Sequence, residues 1–404
     1  MDILVKNSNF SLSLSLTILR LTGFWPPETL PKDKMILYNC YGFIFFVSLM
    51  VLFLISELGD LVLIWGNLPL MTGTAFVLFT NLAHATKFIN IVVRRESVLK
   101  IITDSDDILK AETSVEGRKI VHSCNRETRW QQLFYFLLTF FTCMGWASSA
   151  EKNKLPLRGW YPYNTNKPIA YEITYFYQVF SMFGAAFLNV SKDTLVTTLI
   201  AQCRCRLRLV SLSLRNLCNN EHFTGESSPS RTSLTVSEKT LIFTPAQEAI
   251  VYKRLRSCAI KHQKVLETTL LLQNTFSEPI FAQFNVSLVI ICVTAFQLVS
   301  QTGNYIRLIS MSTYLMNMMF QVFLYCYQGD QLSTESEELA KAAYEVPWYA
   351  CSVRLRSSLL IMMVRCRRVV KLTAAGFTTL SLDTFTAVIK TSYSLFTLLQ
   401  QVTE

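Results

Sequence analysis

Charge is scarce in this sequence. Only 16% of its 404 residues are Asp, Glu, Lys or Arg, against roughly 25% in soluble domains. The scarcity is local. Met35–Ser56, Leu68–Thr86, Gln131–Ala150, Ile173–Ser191, Pro279–Ile306 and Leu308–Gly329 contain no charged residue at all. About 20 apolar residues at 1.5 Å each cover the ~30 Å hydrocarbon core of a bilayer, so each block suffices for one crossing. A soluble globular class is excluded, because a core this large would have almost no polar wall. Histidine is also rare, with four in the chain, and His84 alone falls inside an apolar block. There is no His-Glu-x-x-His and no paired intramembrane carboxylate, which argues against a membrane enzyme or a proton relay. The chain lacks an internal repeat, unlike transporters built from duplicated halves. Of eleven cysteines, Cys203 and Cys205 are the nearest pair, and no second pair at metal-ligand spacing accompanies them. They read as thiols, with neither a disulfide framework nor a zinc site, and neither metal nor cofactor is expected. The N-terminal segment carries no small-residue cleavage site after Arg20, so the first span is expected to serve as the signal.

What is present is a seventh, more polar block, Ser381–Val402, with Asp383 near its start and Lys390 in its middle. The expected spans are about 35–56, 68–92, 131–150, 171–201, 276–300, 305–328 and 380–402. Thirty of the 38 Lys and Arg residues fall between spans on the N-terminal side, whereas Lys152, Lys154, Arg158 and Lys167 are alone in the opposite loops. Basic residues stay on the cytoplasmic side. The net charge of +10 is therefore a topology signal, not a nucleic-acid footprint. The fold class is all-α integral membrane: seven helices, N-terminus cytoplasmic, C-terminus extracellular. Helix-compatible stretches at about 201–217, 246–273 and 352–373 predict an intracellular anchor bundle, with spans four and five running past the membrane. Within the last stretch, apolar Ser357–Val364 is too short to span and reads as an amphipathic helix at the inner surface. The Ser/Thr-rich loop at about 219–244 reads as flexible. The outer loop Glu151–Ala170, with Trp160, Tyr161, Pro162 and Tyr163, reads as an ordered lid.

Seven spans invite a G-protein-coupled receptor. The charge count opposes it, and there is neither an Asp-Arg-Tyr after span three nor an Asn-Pro-x-x-Tyr in span seven. The last span points elsewhere. Thr384, Thr386, Thr391, Ser392, Ser394, Thr397, Gln400 and Gln401 interrupt it, more hydrogen-bonding capacity than a lipid-facing helix carries. Those groups fit either a pore wall or close helix packing.

The stretch SLDTFTAVIKTSYSLFTLLQ (Ser381–Gln400) resembles the last span of insect odorant receptors. Leu21–Pro26 (LTGFWP) resembles the segment before their first span, and KHQKVLE from Lys261 resembles the helix entering their fifth. Insect gustatory receptors are the alternative. Their last span places Gln-Phe after Thr-Tyr and five residues, whereas here Leu399 follows Tyr393 at that spacing and Gln400 is displaced by one.

The resemblance implies an odorant-sensing subunit of a ligand-gated, non-selective cation channel, not an enzyme. It would form a tetramer with a shared co-receptor subunit in the plasma membrane of a sensory dendrite, with volatile organic ligands and membrane lipid as its other partners. It implies a gate at the outer end of the last span, with Leu398 and Val402 as a hydrophobic constriction and Gln401 as a polar ring. Lys390 would face a wider vestibule or a carboxylate of a neighbouring subunit, with Asp383 on a similar face. It also implies an odorant pocket in the outer half of spans two, three, four and six. Chosen by depth, the candidates are Phe76, Phe79, Phe141, Met144, Gly145, Met182, Phe183, Met311 and Tyr314, about a third of which are expected to line it. Aromatic and Met side chains suit small apolar ligands.

Overall fold

The computed structural model describes residues 12–27, 31–148, 155–165, 167–218, 245–300 and 305–403. The segment read as a flexible loop, about 219–244, falls wholly outside them, as do parts of the expected lid. Among the described residues there are α1 (Ser13–Leu21), α2 (Lys32–Phe46), α3 (Leu52–Leu63), α4 (Leu68–Val93), α5 (Arg95–Lys110) and α6 (Val115–Ser148). The chain continues as α7 (Pro168–Arg215), α8 (Pro245–Ser300), α9 (Tyr305–Glu345) and α10 (Val353–Cys366). The hairpin strands β1 (Thr373–Ala374) and β2 (Thr378–Thr379) precede α11 (Leu382–Thr403).

The first apolar block forms α2 and α3, joined by a π-helical turn at Val47–Val51. Such a turn breaks the regular ladder, and the Ser48 carbonyl accepts from the Tyr177 hydroxyl at 2.6 Å. A similar repair holds α4 to α8. Pro279 lies inside α8 and cannot donate to the carbonyl four residues back. That carbonyl, of Thr275, accepts instead from Asn90 Nδ2 of α4 at 3.0 Å.

Asp33–Leu63, Leu70–Val93, Pro168–Arg215 and Ala246–Val299 are long and apolar enough to cross a membrane. The helices α6, α9 and α11 are more polar. In α6 and α9 much of that polarity is turned toward other helices: Gln132 donates to Thr198 at 2.6 Å, Thr139 to Asn317 at 3.2 Å and Gln328 to Gln131 at 2.7 Å. Polar groups in hydrocarbon require such partners.

Both α7 (48 residues) and α8 (56 residues) are more than twice the ~30 Å core at 1.5 Å per residue. The helices α6 and α9 also overrun it, which the sequence reading missed. Their charge-rich ends look like loops in one dimension but form seams in a bundle. Arg204 of α7 makes a two-pronged bond to Glu127 of α6 at 3.1 and 2.8 Å. Arg208 pairs with Glu335 and Arg215 with Glu345, both on α9. α10 extends the short amphipathic stretch but ends at Cys366, short of the expected 373. The hairpin takes over, turning at Ala375 and Gly376, both at positive φ. Its backbone docks on α8: Thr373 N donates to Gln273 Oε1 at 2.8 Å, and Ala375 N to Ser277 Oγ at 2.7 Å.

α1 lies along α7, with Ser15 and Thr194 sharing a hydroxyl hydrogen bond of 2.8 Å and Leu12, Leu16 and Leu19 buried. The turn after it needs glycine. Gly23 has φ +82°, and a Cβ on Gly42 of α2 would stand 2.4 Å from its carbonyl oxygen.

In the polar bundle, burial and the Arg365 guanidinium hold the His262 imidazole down to about 4. In the unfolded chain it titrates near 6.5. The neutral ring is thus the folded form, so stability is full above pH ~6.5 and declines as pH falls toward 4. The loss reaches about 3 kcal/mol. Thermal unfolding of the purified protein should show Tm falling over this window, and His262→Gln should flatten the fall. An equally steep decline in the variant would rule out His262 as its source.

Candidate functional site

A cavity of about 100 Å³ opens among α3, α4, α6, α7 and α9. Phe76 stacks on Trp146 at 5.5 Å and meets Tyr314 edge-on at 5.3 Å. Thr80 fixes the Tyr314 hydroxyl at 2.5 Å. Thr139, Thr142, Cys143 and Trp146 come from α6, and Ser181, Met182, Ala185, Ala186 and Asn189 from α7. The described part of the outer loop closes over the cavity. Leu157, itself a wall residue, exchanges two backbone bonds with the Gln178 amide at 3.2 and 2.9 Å. Trp160 N donates to Ser56 O at 2.9 Å. The wall is mainly apolar, with a few fixed polar groups, as small-ligand sites generally are. Two polar groups have no hydrogen-bond partner among the described residues, the Nε2 of His84 and the Oγ of Ser181, and each side chain is 1% exposed.

Of the nine residues chosen by depth, Phe76, Met182 and Tyr314 line this cavity. Met311 is buried behind the wall, against Phe53, Phe76 and Trp146. Phe79 packs into the main core. Phe183 joins Phe140 and Phe187 in a ring cluster. Gly145 is pressed against Ser310, whose Oγ would lie 2.6 Å from an added Cβ. Phe141 and Met144 face outward, 57% and 44% exposed.

Beneath the cavity is a feature the sequence reading did not assemble. Asp193 of α7, 1% exposed, accepts from Lys87 Nζ of α4 at 2.6 Å, Tyr325 of α9 at 2.8 Å and Tyr135 of α6 at 3.3 Å. Gln321 of α9 donates to it as well. Lys192 donates to the His84 carbonyl at 3.0 Å, tying the network to the cavity wall. The signal was Lys192-Asp193 inside what proves one continuous helix, with Lys87 the lone charge at the end of another apolar block.

α11 packs on α8 and α9 with a polar face left outside the bundle. Asp383, Lys390, Ser394 and Gln401 are all exposed and, at 100° per residue, lie within about 40° of one another. Leu398 is 58% exposed and flanks this stripe. The side chain of Val402 lies outside the described residues.

The family model for "7tm Odorant receptor" matches residues 67–393. Odorant receptor Or1 of Anopheles gambiae is 22% identical, with 96% of this chain and 94% of that protein aligned. Odorant receptor 94a of Drosophila melanogaster is 23% identical, with 97% of each covered. The olfactory receptor OR5 from Machilis hrabei, solved in complex with eugenol, superposes with a TM-score of 0.78 over 97% of each chain at 17% identity, a likeness of fold. Buried polar contacts among long helices, a lidded, mainly apolar cavity and these matches together place the chain in the insect odorant-receptor family of seven-pass membrane proteins.

Proposed function

We propose that this chain is the odorant-sensing subunit of a ligand-gated, non-selective cation channel of the plasma membrane. It assembles as a tetramer with a shared co-receptor subunit, its N-terminus cytoplasmic. The observation that carries this reading is the exposed polar face of α11. A membrane-spanning helix that turns Asp383, Lys390, Ser394 and Gln401 away from its own bundle needs water or other subunits on that side. A central pore supplies both. Leu398 and Val402 then form the constriction and Gln401 a polar ring above the wider region that holds Lys390. Apolar constrictions close by dewetting. The eugenol complex of the Machilis receptor supports small volatile organic ligands for the cavity beside Phe76, Met182 and Tyr314.

The test is whole-cell current in cells expressing the chain with and without an insect co-receptor, with G-protein signalling blocked. Volatile ligands should evoke a cation current that requires the co-receptor. Leu398→Ala should alter ion permeability or leave a current without ligand. An unchanged pore in that variant would move the gate elsewhere. Absence of any current despite surface expression would remove the channel reading.

A further inference from the structure

At the end of the bundle away from the cavity, α5, α7 and α8 enclose a groove of about 450 Å³. Five cationic side chains line it, Arg206, Lys253, Arg256, Lys261 and Lys264, against a single carboxylate, Glu112. Among the described residues none of the five has an ion-pair partner within 4 Å. Arg206 is the anchor. It is 1% exposed and bonds only neutral hydroxyls, Thr268 at 3.0 Å and Ser105 at 3.4 Å. Its Nε and Nη2 are buried without partners among the described residues. A buried guanidinium with free donors is costly unless an anion completes it. The carboxylates Asp104, Asp107 and Glu267 lie in the adjoining hollow, which Lys100, Arg206 and Lys264 also line; Lys253, Arg256 and Lys261 line the groove alone and keep it positive.

The spacing sets the ligand. Lys253 and Lys264 are three helical turns apart, about 16 Å along α8. One phosphate cannot touch both ends; several phosphates on one scaffold can. About 18 Å of helix also separates Lys264 from the expected membrane entry near residue 276, which favours a soluble ligand over a lipid headgroup. We propose that this groove binds a polyphosphorylated small molecule of the inositol polyphosphate class, with Arg206 as the buried clamp and the α8 lysines and arginine as the outer contacts. The proposal is independent of where the pore lies.

The experiment uses the purified full-length chain in nanodiscs of neutral lipid, with inositol hexakisphosphate as probe, binding read by calorimetry. Saturable binding at 150 mM salt is expected, weakening as salt rises because charge neutralisation dominates. Lys253→Gln/Arg256→Gln/Lys261→Gln, all on the groove's outer side, should weaken it at least tenfold while the Tm without probe stays unchanged. Arg206→Gln should weaken it further if that variant folds. Inorganic phosphate should compete only at far higher concentration. Binding unaffected by the triple variant, or none at all, overturns the site. Binding seen only when a phosphoinositide lipid replaces the soluble probe overturns the soluble ligand in favour of a headgroup.

Discussion

Asp193→Leu should leave little folded protein, measured as the monodisperse fraction after detergent extraction. Four side chains from three other helices converge on this carboxylate: Lys87, Tyr135, Gln321 and Tyr325. The magnitudes separate two effects. Hydrogen bonds between membrane helices average about 0.6 kcal/mol and reach about 1.7 kcal/mol, so each tyrosine contact weighs less than the ion pair. Leaving Lys87, itself 5% exposed, without its carboxylate costs ~3–5 kcal/mol, a large share of the ~5–15 kcal/mol that holds a domain together. The charge therefore decides the outcome. Replacing a whole buried pair by apolar residues is often neutral, so Lys87→Met added to Asp193→Leu should recover much of the folded fraction. Wild-type recovery of the single variant would mean the network is dispensable. Failure of the double variant to improve on the single one would shift the weight to the hydroxyl and amide contacts.

Much of the architecture is written in where charge is absent, since only an apolar block can occupy hydrocarbon. The long helices were harder to read in full. Arg204, Arg208 and Arg215 lie on α7 with their partners Glu127, Glu335 and Glu345 far away in sequence, so the ends of α6 and α9 resembled polar loops. The hairpin before α11 has two-residue strands and is held by side chains of α8, which leaves no local pattern to find. The cavity shows a third kind of difficulty. On α6 its wall is Thr139, Thr142, Cys143 and Trp146, spaced as one helical face, while Phe141 and Met144 point out. In water large apolar side chains mark the inside. In a bilayer lipid accepts them, and small or polar residues mark the interior instead. Choosing aromatics by depth therefore found Phe76 and Tyr314 but missed Thr139, Ser181 and His84.

His84 should bias which volatile molecules the cavity prefers, given the odorant-sensing role proposed for it. At about 100 Å³ it is below the ~150 Å³ that admits benzene in an apolar protein cavity, so ligands must be small or must push the walls apart. Shape alone discriminates weakly: one methylene in an apolar pocket is worth only ~1–3 kcal/mol. A buried polar atom discriminates more, because a ligand that cannot pair with it leaves it unsatisfied at ~1–3 kcal/mol on top of the lost bond. The His84 Nε2 has no partner among the described residues, and an imidazole nitrogen can donate or accept. Alcohols, phenols and ketones should therefore be favoured over hydrocarbons of equal size. His84→Leu should weaken responses to the oxygenated ligands roughly 10- to 100-fold, a range set by those hydrogen-bond energies, and leave hydrocarbon responses intact or improved. The bond from Lys192 reaches the backbone carbonyl of residue 84 and survives the substitution, so the network below should stay in place. Dose–response curves for matched alcohol and alkane pairs measure this directly. An equal loss for both classes would mean that His84 supports the bundle and does not touch the ligand.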